Sequence, residues 1–133
     1  MGNRIRIAID GPSGAGKSTI ARKVAANLNI DYIDTGAMYR AVALKLLREG
    51  VSPEEEGRLK KILSETAIDF HKGETLLDGE AVSGLIRTPQ VSEMASRVSA
   101  LPLVREKLVA AQREMGASKS VVMDGRDIGT NVF

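Results

Sequence analysis

The chain has 133 residues, 43% of them hydrophobic and 27% charged, with a formal net charge of +2. That is the make-up of one ordinary globular domain, long enough to bury a core. It contains no cysteine, which excludes disulfides, thiolate catalysis and zinc–thiolate sites and suits a reducing compartment. No apolar run approaches the ~18–20 residues of a membrane span, and the first residues lack the apolar core of a signal peptide, so a cytoplasmic location is expected. Basic residues are scattered, and only two Phe and two Tyr are available for base stacking, so a nucleic-acid surface is not indicated.

Ile5-Arg6-Ile7-Ala8-Ile9-Asp10 reads as a strand. Directly after it comes Gly11-Pro12-Ser13-Gly14-Ala15-Gly16-Lys17-Ser18, which fits the phosphate-binding pattern GxxxxGK[ST]. A helical pattern follows, with Ile20, Val24 and Leu28 on the face expected to pack. Strand, glycine-rich turn and helix are the context in which this motif has physical meaning. Glycines let successive N–H groups surround a phosphate chain, and the helix N-terminus adds partial positive charge. Lys17 adds a full charge, and the Ser18 hydroxyl is a candidate ligand for Mg²⁺.

Asp31-Tyr32-Ile33-Asp34 reads as a second strand. Thr35-Gly36 opens a helix through Met38, Val42 and Leu46 to Glu49, stopped by Gly50. Ser52-Pro53-Glu54-Glu55 reads as a capping box with proline in the first helical position, starting a helix that carries Leu59, Ile62 and Leu63. Three short strands are then expected at Ala67-Ile68-Asp69-Phe70, Thr75-Leu76-Leu77 and Ala81-Val82, with Lys72-Gly73 and Asp78-Gly79 as turns. His71, the single histidine, falls at a turn and reads as a solvated residue. Thr88-Pro89 starts a helix with Val91, Met94, Ala95 and Val98 on one face. Pro102 starts another, with Val104, Leu108, Ala111 and Met115 inward and Gly116 after it. Val121-Val122-Met123 is an apolar run ending in Asp124, the look of a strand buried on both faces.

This order predicts an α/β parallel sheet interrupted by a largely helical insertion. Ligands of such sheets bind at the carboxyl ends of the strands. Loops at residues 11–18, 35–40 and 125–130 are expected there.

The segments IDGPSGAGKST, YIDTGAMYR, IRTPQVSEMASRVSALPLVREKL and VVMDGRDIGT resemble bacterial cytidylate kinases, in that family's order and across essentially the whole chain. The resemblance implies a P-loop nucleoside monophosphate kinase fold. Its core would be residues 1–35 and 119–133, and residues 36–118 would be an NMP-binding insertion carrying a small antiparallel sheet. It also implies that the chain stops at Phe133 after three parallel strands, before further C-terminal strands and an arginine-rich lid. The 133-residue chain is then expected to self-associate along an uncovered edge.

The activity implied is ATP + CMP ⇌ ADP + CDP, with dCMP also accepted, Mg²⁺ as cofactor and a monomeric complete enzyme. ATP would be held by Gly11, Pro12, Ser13, Gly14, Ala15, Gly16, Lys17, Ser18 and Thr19. A phosphate monoester is mostly dianionic at neutral pH, so no general base is required. Positioning and charge cancellation would carry the reaction, through Lys17, Arg126 and Asp127. Tyr39, Arg40 and Arg126 resemble ligands of the CMP phosphate, and Thr35 could bond phosphate or ribose or cap its helix. Asp124 resembles the base-reading carboxylate, with Arg105 and Ser96. Its competing reading is a Mg²⁺ ligand at the end of an apolar strand. The alternatives are another small-molecule P-loop kinase or a non-catalytic nucleotide-binding fragment. A GTPase would need an Asn-Lys pair that the chain lacks.

Overall fold

The computed structural model describes residues 6–10, 17–71 and 74–125. The elements run β1 (Arg6–Asp10), α1 (Lys17–Leu28), β2 (Asp31–Asp34), α2 (Thr35–Glu49), α3 (Glu56–Ser64), β3 (Ile68–His71), β4 (Glu74–Leu77), β5 (Glu80–Ala81), α4 (Pro89–Val98), α5 (Pro102–Ser118) and β6 (Val121–Gly125). The chain divides into two compact units. The first comprises residues 1–35, 70–73 and 109–133, the second residues 36–69 and 74–108. Together the elements make the α/β fold of a P-loop kinase, a parallel three-stranded sheet with helices and a small antiparallel sheet.

In the first unit the sheet order is β1-β6-β2, all parallel. The last of the described strands lies between the other two. Val122 is in register with Ile7 on one side and Tyr32 on the other. Val121, Val122 and Met123 are wholly buried, as their unbroken apolar run requires. Helix α1 packs on the sheet through Ala21 and Ala25 against Val122, with Val24, Ile7, Ile9, Ile30 and Tyr32 around them. The expected packed face of α1 is therefore corrected. Val24 lies at its margin, but Ile20 is 56% and Leu28 45% exposed. Small side chains let the helix approach the sheet closely, and the large ones flank the contact. Asn29 ends α1 in the left-handed region (φ 53°), with Ile30 N–H returning to the Ala25 carbonyl at 3.0 Å. After α5, Lys119 donates from Nζ to the Phe70 carbonyl at 2.7 Å and pairs with Asp31 at 3.2 Å.

In the second unit, α2 buries Met38, Ala41, Val42 and Leu46 along one stripe, and Gly50 ends it at φ +66°. The chain turns through residues 52–55 before α3 begins at Glu56, so the expected helix start at Pro53 is too early. Only half of the capping box forms. Ser52 N–H donates to the Glu55 carboxylate at 2.7 Å, but the Ser52 hydroxyl pairs with Glu54 instead of the Glu55 N–H. Leu59, Ile62 and Leu63 are buried as expected. The small sheet has the order β3-β4-β5, and β4 and β5 are antiparallel with Leu77 opposite Glu80. Its tight turn places Asp78 and Gly79 at φ 51° and 85°, the left-handed pair that an Asp-Gly hairpin supplies. His71 is the last residue of β3, exposed, and not in the turn where the sequence suggested it. Thr88 caps α4, accepting from Val91 N–H at 3.3 Å with Pro89 next, and Val91, Met94, Ala95 and Val98 are all buried. Helix α5 buries Val104 and Leu108. It continues through Gly116 to Ser118, so that glycine is not its stop. Among the described residues no helix is long and apolar enough to cross a membrane.

Candidate active site

The first unit brings the carboxyl ends of β1, β6 and β2 side by side. Asp124 is in register with Ile9 and with Asp34, and Gly125 with Asp10. Chain order and parallel pairing dictate this: each strand ends in aspartate or glycine as it leaves the apolar layer. Lys17 and Ser18 are the first two residues of α1, at the helix N-terminus that follows the glycine-rich segment. Thr19 is exposed on the same turn. Gly11, Pro12, Ser13, Gly14, Ala15 and Gly16 lie outside the described residues, as do Arg126 and Asp127. Asp34 is the end-of-strand carboxylate that sequence reasoning did not single out. Its signal was available, because it closes the second short strand and lies in register with Asp124 of β6.

Residues 35–40 are not a loop, contrary to expectation. Helix α2 starts at Thr35 with no residue between it and β2. Thr35 is buried, at 7% exposure. Tyr39 and Arg40 are consecutive and half-buried on the second turn. Their neighbours Met38 and Ala41 are fully buried and fix the backbone between them.

Two other members of the set stand on the second unit's later helices. Ser96 is exposed on α4, its hydroxyl donating to the Ser92 carbonyl at 3.2 Å. Arg105 is exposed on the first turn of α5, where its N–H bonds the Leu101 carbonyl at 3.1 Å. Burial pushes the Tyr39 phenol above its ordinary range, and the positive charge of Arg105 offsets part of that rise. The phenol is therefore neutral at neutral pH. Tyr39, Arg40, Ser96 and Arg105 belong to the second unit, while Lys17, Ser18, Thr35 and Asp124 belong to the first.

The family model described as cytidylate kinase matches residues 7–133. The chain belongs to the cytidylate kinase family. It is 56% identical over 133 residues to a cytidylate kinase of Chloroherpeton thalassium, covering 98% of this chain and 57% of that protein. It is 54% identical to one from Caldanaerobacter subterraneus subsp. tengcongensis (97% and 58%) and 50% identical to one from Clostridioides difficile (100% and 61%). The chain thus spans about three-fifths of the length of the curated relatives it matches. The family match runs through both units and takes in every candidate residue above.

In the first unit, α1 begins with Lys17 and Ser18, the two residues that close the GxxxxGK[ST] pattern. Among the described residues no cluster of three or more His, Asp or Glu is grouped to cage a metal. That donor set fits Mg²⁺ rather than opposing it, because Mg²⁺ in kinases takes one or two protein ligands and fills the rest with phosphate oxygens and water.

Proposed function

We propose that the protein phosphorylates CMP, and dCMP, from ATP. The observation that carries this reading is the cytidylate kinase match over residues 7–133, on a parallel sheet whose strands end at Asp10, Asp34 and Gly125. A phosphate oxygen of CMP attacks the γ-phosphorus of ATP; the new O–P bond forms as the bond to the β-phosphate oxygen breaks, and ADP leaves. The acceptor dianion needs no base, which agrees with an exposed His71 remote in sequence from the motifs. Residues 1–35 and 119–133 form the ATP-binding core and residues 36–118 the CMP-binding insertion. Gly11 to Thr19 wrap the triphosphate. Lys17 cancels charge on the transferring group, and Arg126 and Asp127 organise its acceptor side. Ser18 would hold Mg²⁺, which would supply charge neutralisation to the phosphates.

On the acceptor side, Arg40, with Tyr39 beside it and Arg126, binds the CMP phosphate through the guanidinium fork. Thr35, the first residue of α2, bonds phosphate or ribose. Asp124, with Arg105 and Ser96, reads cytosine, because a carboxylate accepts from the exocyclic amino group and repels the uracil oxygen. The complete enzyme works as a cytoplasmic monomer in pyrimidine nucleotide metabolism.

The test is ADP formation by the full-length gene product with CMP, dCMP, UMP or AMP. CMP-dependent turnover is expected, with Lys17→Ala lowering it by at least ~100-fold. Asp124→Asn should lower the CMP-to-UMP ratio of kcat/KM, since an amide can also donate to uracil. An unchanged ratio with lost Mg²⁺ affinity would assign Asp124 to the metal instead. A second reading applies to the 133-residue chain alone, which covers 57% of its relative in Chloroherpeton thalassium. It binds nucleotide without turning it over, and the same assay on that chain separates the two.

A further inference from the structure

We propose that the β4–β5 hairpin is an ionic clamp on α2, and that Arg48 and Glu80 are positioning residues: their pair fixes α2 lengthwise and so sets where Arg40 stands for the CMP phosphate. The role rests on the reading of Arg40 as a phosphate ligand and adds to it a device that touches no substrate.

Three observations carry it. First, α2 is held down by an apolar stripe, Met38, Ala41, Val42 and Leu46, all buried. Apolar packing is non-directional, and helices slide over such contacts by about 1–2 Å. Second, the contacts that oppose sliding are charged and directional. Arg48 donates from Nη1 to Glu80 Oε1 at 2.8 Å and from Nη2 to Oε2 at 3.1 Å, a two-pronged bond with one geometry. One turn earlier on the same face, Lys45 pairs with Asp78. The two carboxylates flank Gly79, so a single tight turn grips the helix at two points. Third, that turn is itself fixed. Asp78 N–H donates to the Ala67 carbonyl at 2.7 Å, and the Ala67 N–H returns to the Asp78 carboxylate at 2.8 Å. Leu77 and Val82, before and after the turn, are buried. Arg40 stands about 12 Å N-terminal of Arg48 on one helix, with neither glycine nor proline between them. A helix is stiff along its axis, so a slip at Arg48 moves Arg40 equally. A misplacement of about 1 Å can cost up to ~100-fold in a positioned reaction.

The experiment is a charge swap in the full-length protein. Arg48→Glu and Glu80→Arg each set like charges against one another, and the two together restore the pair with its signs exchanged. Each single variant should raise KM for CMP about tenfold and leave KM for ATP within about twofold, while the swap returns KM for CMP to within about threefold of wild type. Arg48→Gln, which removes the charge without repulsion, should give a smaller rise in the same direction. Exposed pairs add little to stability, so all four variants should stay folded. A wild-type KM for CMP in both single variants would overturn the proposal. So would an equal rise in both KM values, which marks general loosening, or a swap no better than its parents. Crystal structures without nucleotide separate this inference from the kinase reading. In Arg48→Glu, α2 should lie about 1 Å along its axis from its wild-type place against β4–β5, and return in the swap, whatever the substrate proves to be. An unmoved α2 would refute the clamp.

Discussion

Replacing Asp78 tests how the hairpin of the second unit is fastened. Asp78 sits at φ 51°, and its N–H donates to the Ala67 carbonyl at 2.7 Å. One carboxylate oxygen accepts from the Ala67 N–H at 2.8 Å, and the other pairs with Lys45 on α2. Asp78→Ala keeps the backbone bond and deletes both side-chain links. It also leaves a residue without local hydrogen bonding in the left-handed region, at a cost of about 1 kcal/mol. The lost bond to a charged acceptor is worth about 1.5 kcal/mol at a partly exposed site. The ion pair has side-chain exposures of 17% and 37%, so it contributes about 0.5 kcal/mol. These share one residue and do not strictly add, so the expected destabilisation is about 2–3 kcal/mol. Asp78→Asn keeps the acceptor and tolerates the same φ, and should cost under about 1 kcal/mol. Equilibrium urea unfolding of the full-length protein and its two variants measures this. Asp78→Ala within about 0.5 kcal/mol of wild type, or asparagine as damaging as alanine, would refute the assignment.

Thr88→Ala should cost about 1 kcal/mol of stability in the same assay, because it removes the cap on α4. The Glu54 carboxyl is lowered to about 2, chiefly by the Ser52 hydroxyl and next by Arg97, whose guanidinium lies 2.6 Å away. Its folded pKa lies below the unfolded one, so its contribution is present above pH ~4.5 and lost as pH falls toward 2. In an NMR titration, Ser52→Ala should raise that pKa more than Arg97→Ala does. Tyr39 should ionise above the ordinary tyrosine range, and Arg105→Leu should push it higher still, read by ultraviolet absorbance against the one other tyrosine, Tyr32. On the 133-residue chain, Ile20→Ser should leave stability within about 0.5 kcal/mol, whereas Ala21→Leu should cost about 1–3 kcal/mol. With β1 at the edge of the described sheet and Ile20 and Leu28 exposed, light scattering of that chain should show association above the monomer mass.

Strand and helix order was legible because the periodicities were clean. Val91, Met94, Ala95 and Val98 all face inward, and the run at Val121 is buried on both sides, as their patterns predicted. Helix α1 misled for a physical reason. Hydrophobicity alone favours Ile20 and Leu28 as the packed face, but a helix lying close on a sheet needs small residues, and Ala21 and Ala25 took the contact. The start of α3 slipped because Ser52 satisfied its hydroxyl with Glu54, three residues being used as a turn instead of a first helical turn. Gly116 looked like a stop, yet nothing forbids glycine within a helix that packing holds. Of the site, the helix-terminal placing of Lys17 and Ser18 and the strand-end placing of Asp124 followed from motif and order. The influence of the Arg105 charge on Tyr39 joins residues on two helices far apart in sequence, and no local pattern encodes it.

The central place of β6 has a consequence for how the chain assembles. Among the described strands β1 and β2 do not pair with each other; both pair with β6, which follows them in sequence. During synthesis the two earlier strands leave the ribosome with no ladder to join. The second unit, whose elements lie mostly between them, can collapse on its local contacts meanwhile. Parallel closure then waits for Val121–Gly125 to slot between two strands that have been open throughout. Slow, non-local pairing of this kind exposes apolar edges for as long as it lasts, so translation rate and chaperone access should govern the yield of soluble protein. A polar substitution at Val122 would therefore show first as aggregation during expression.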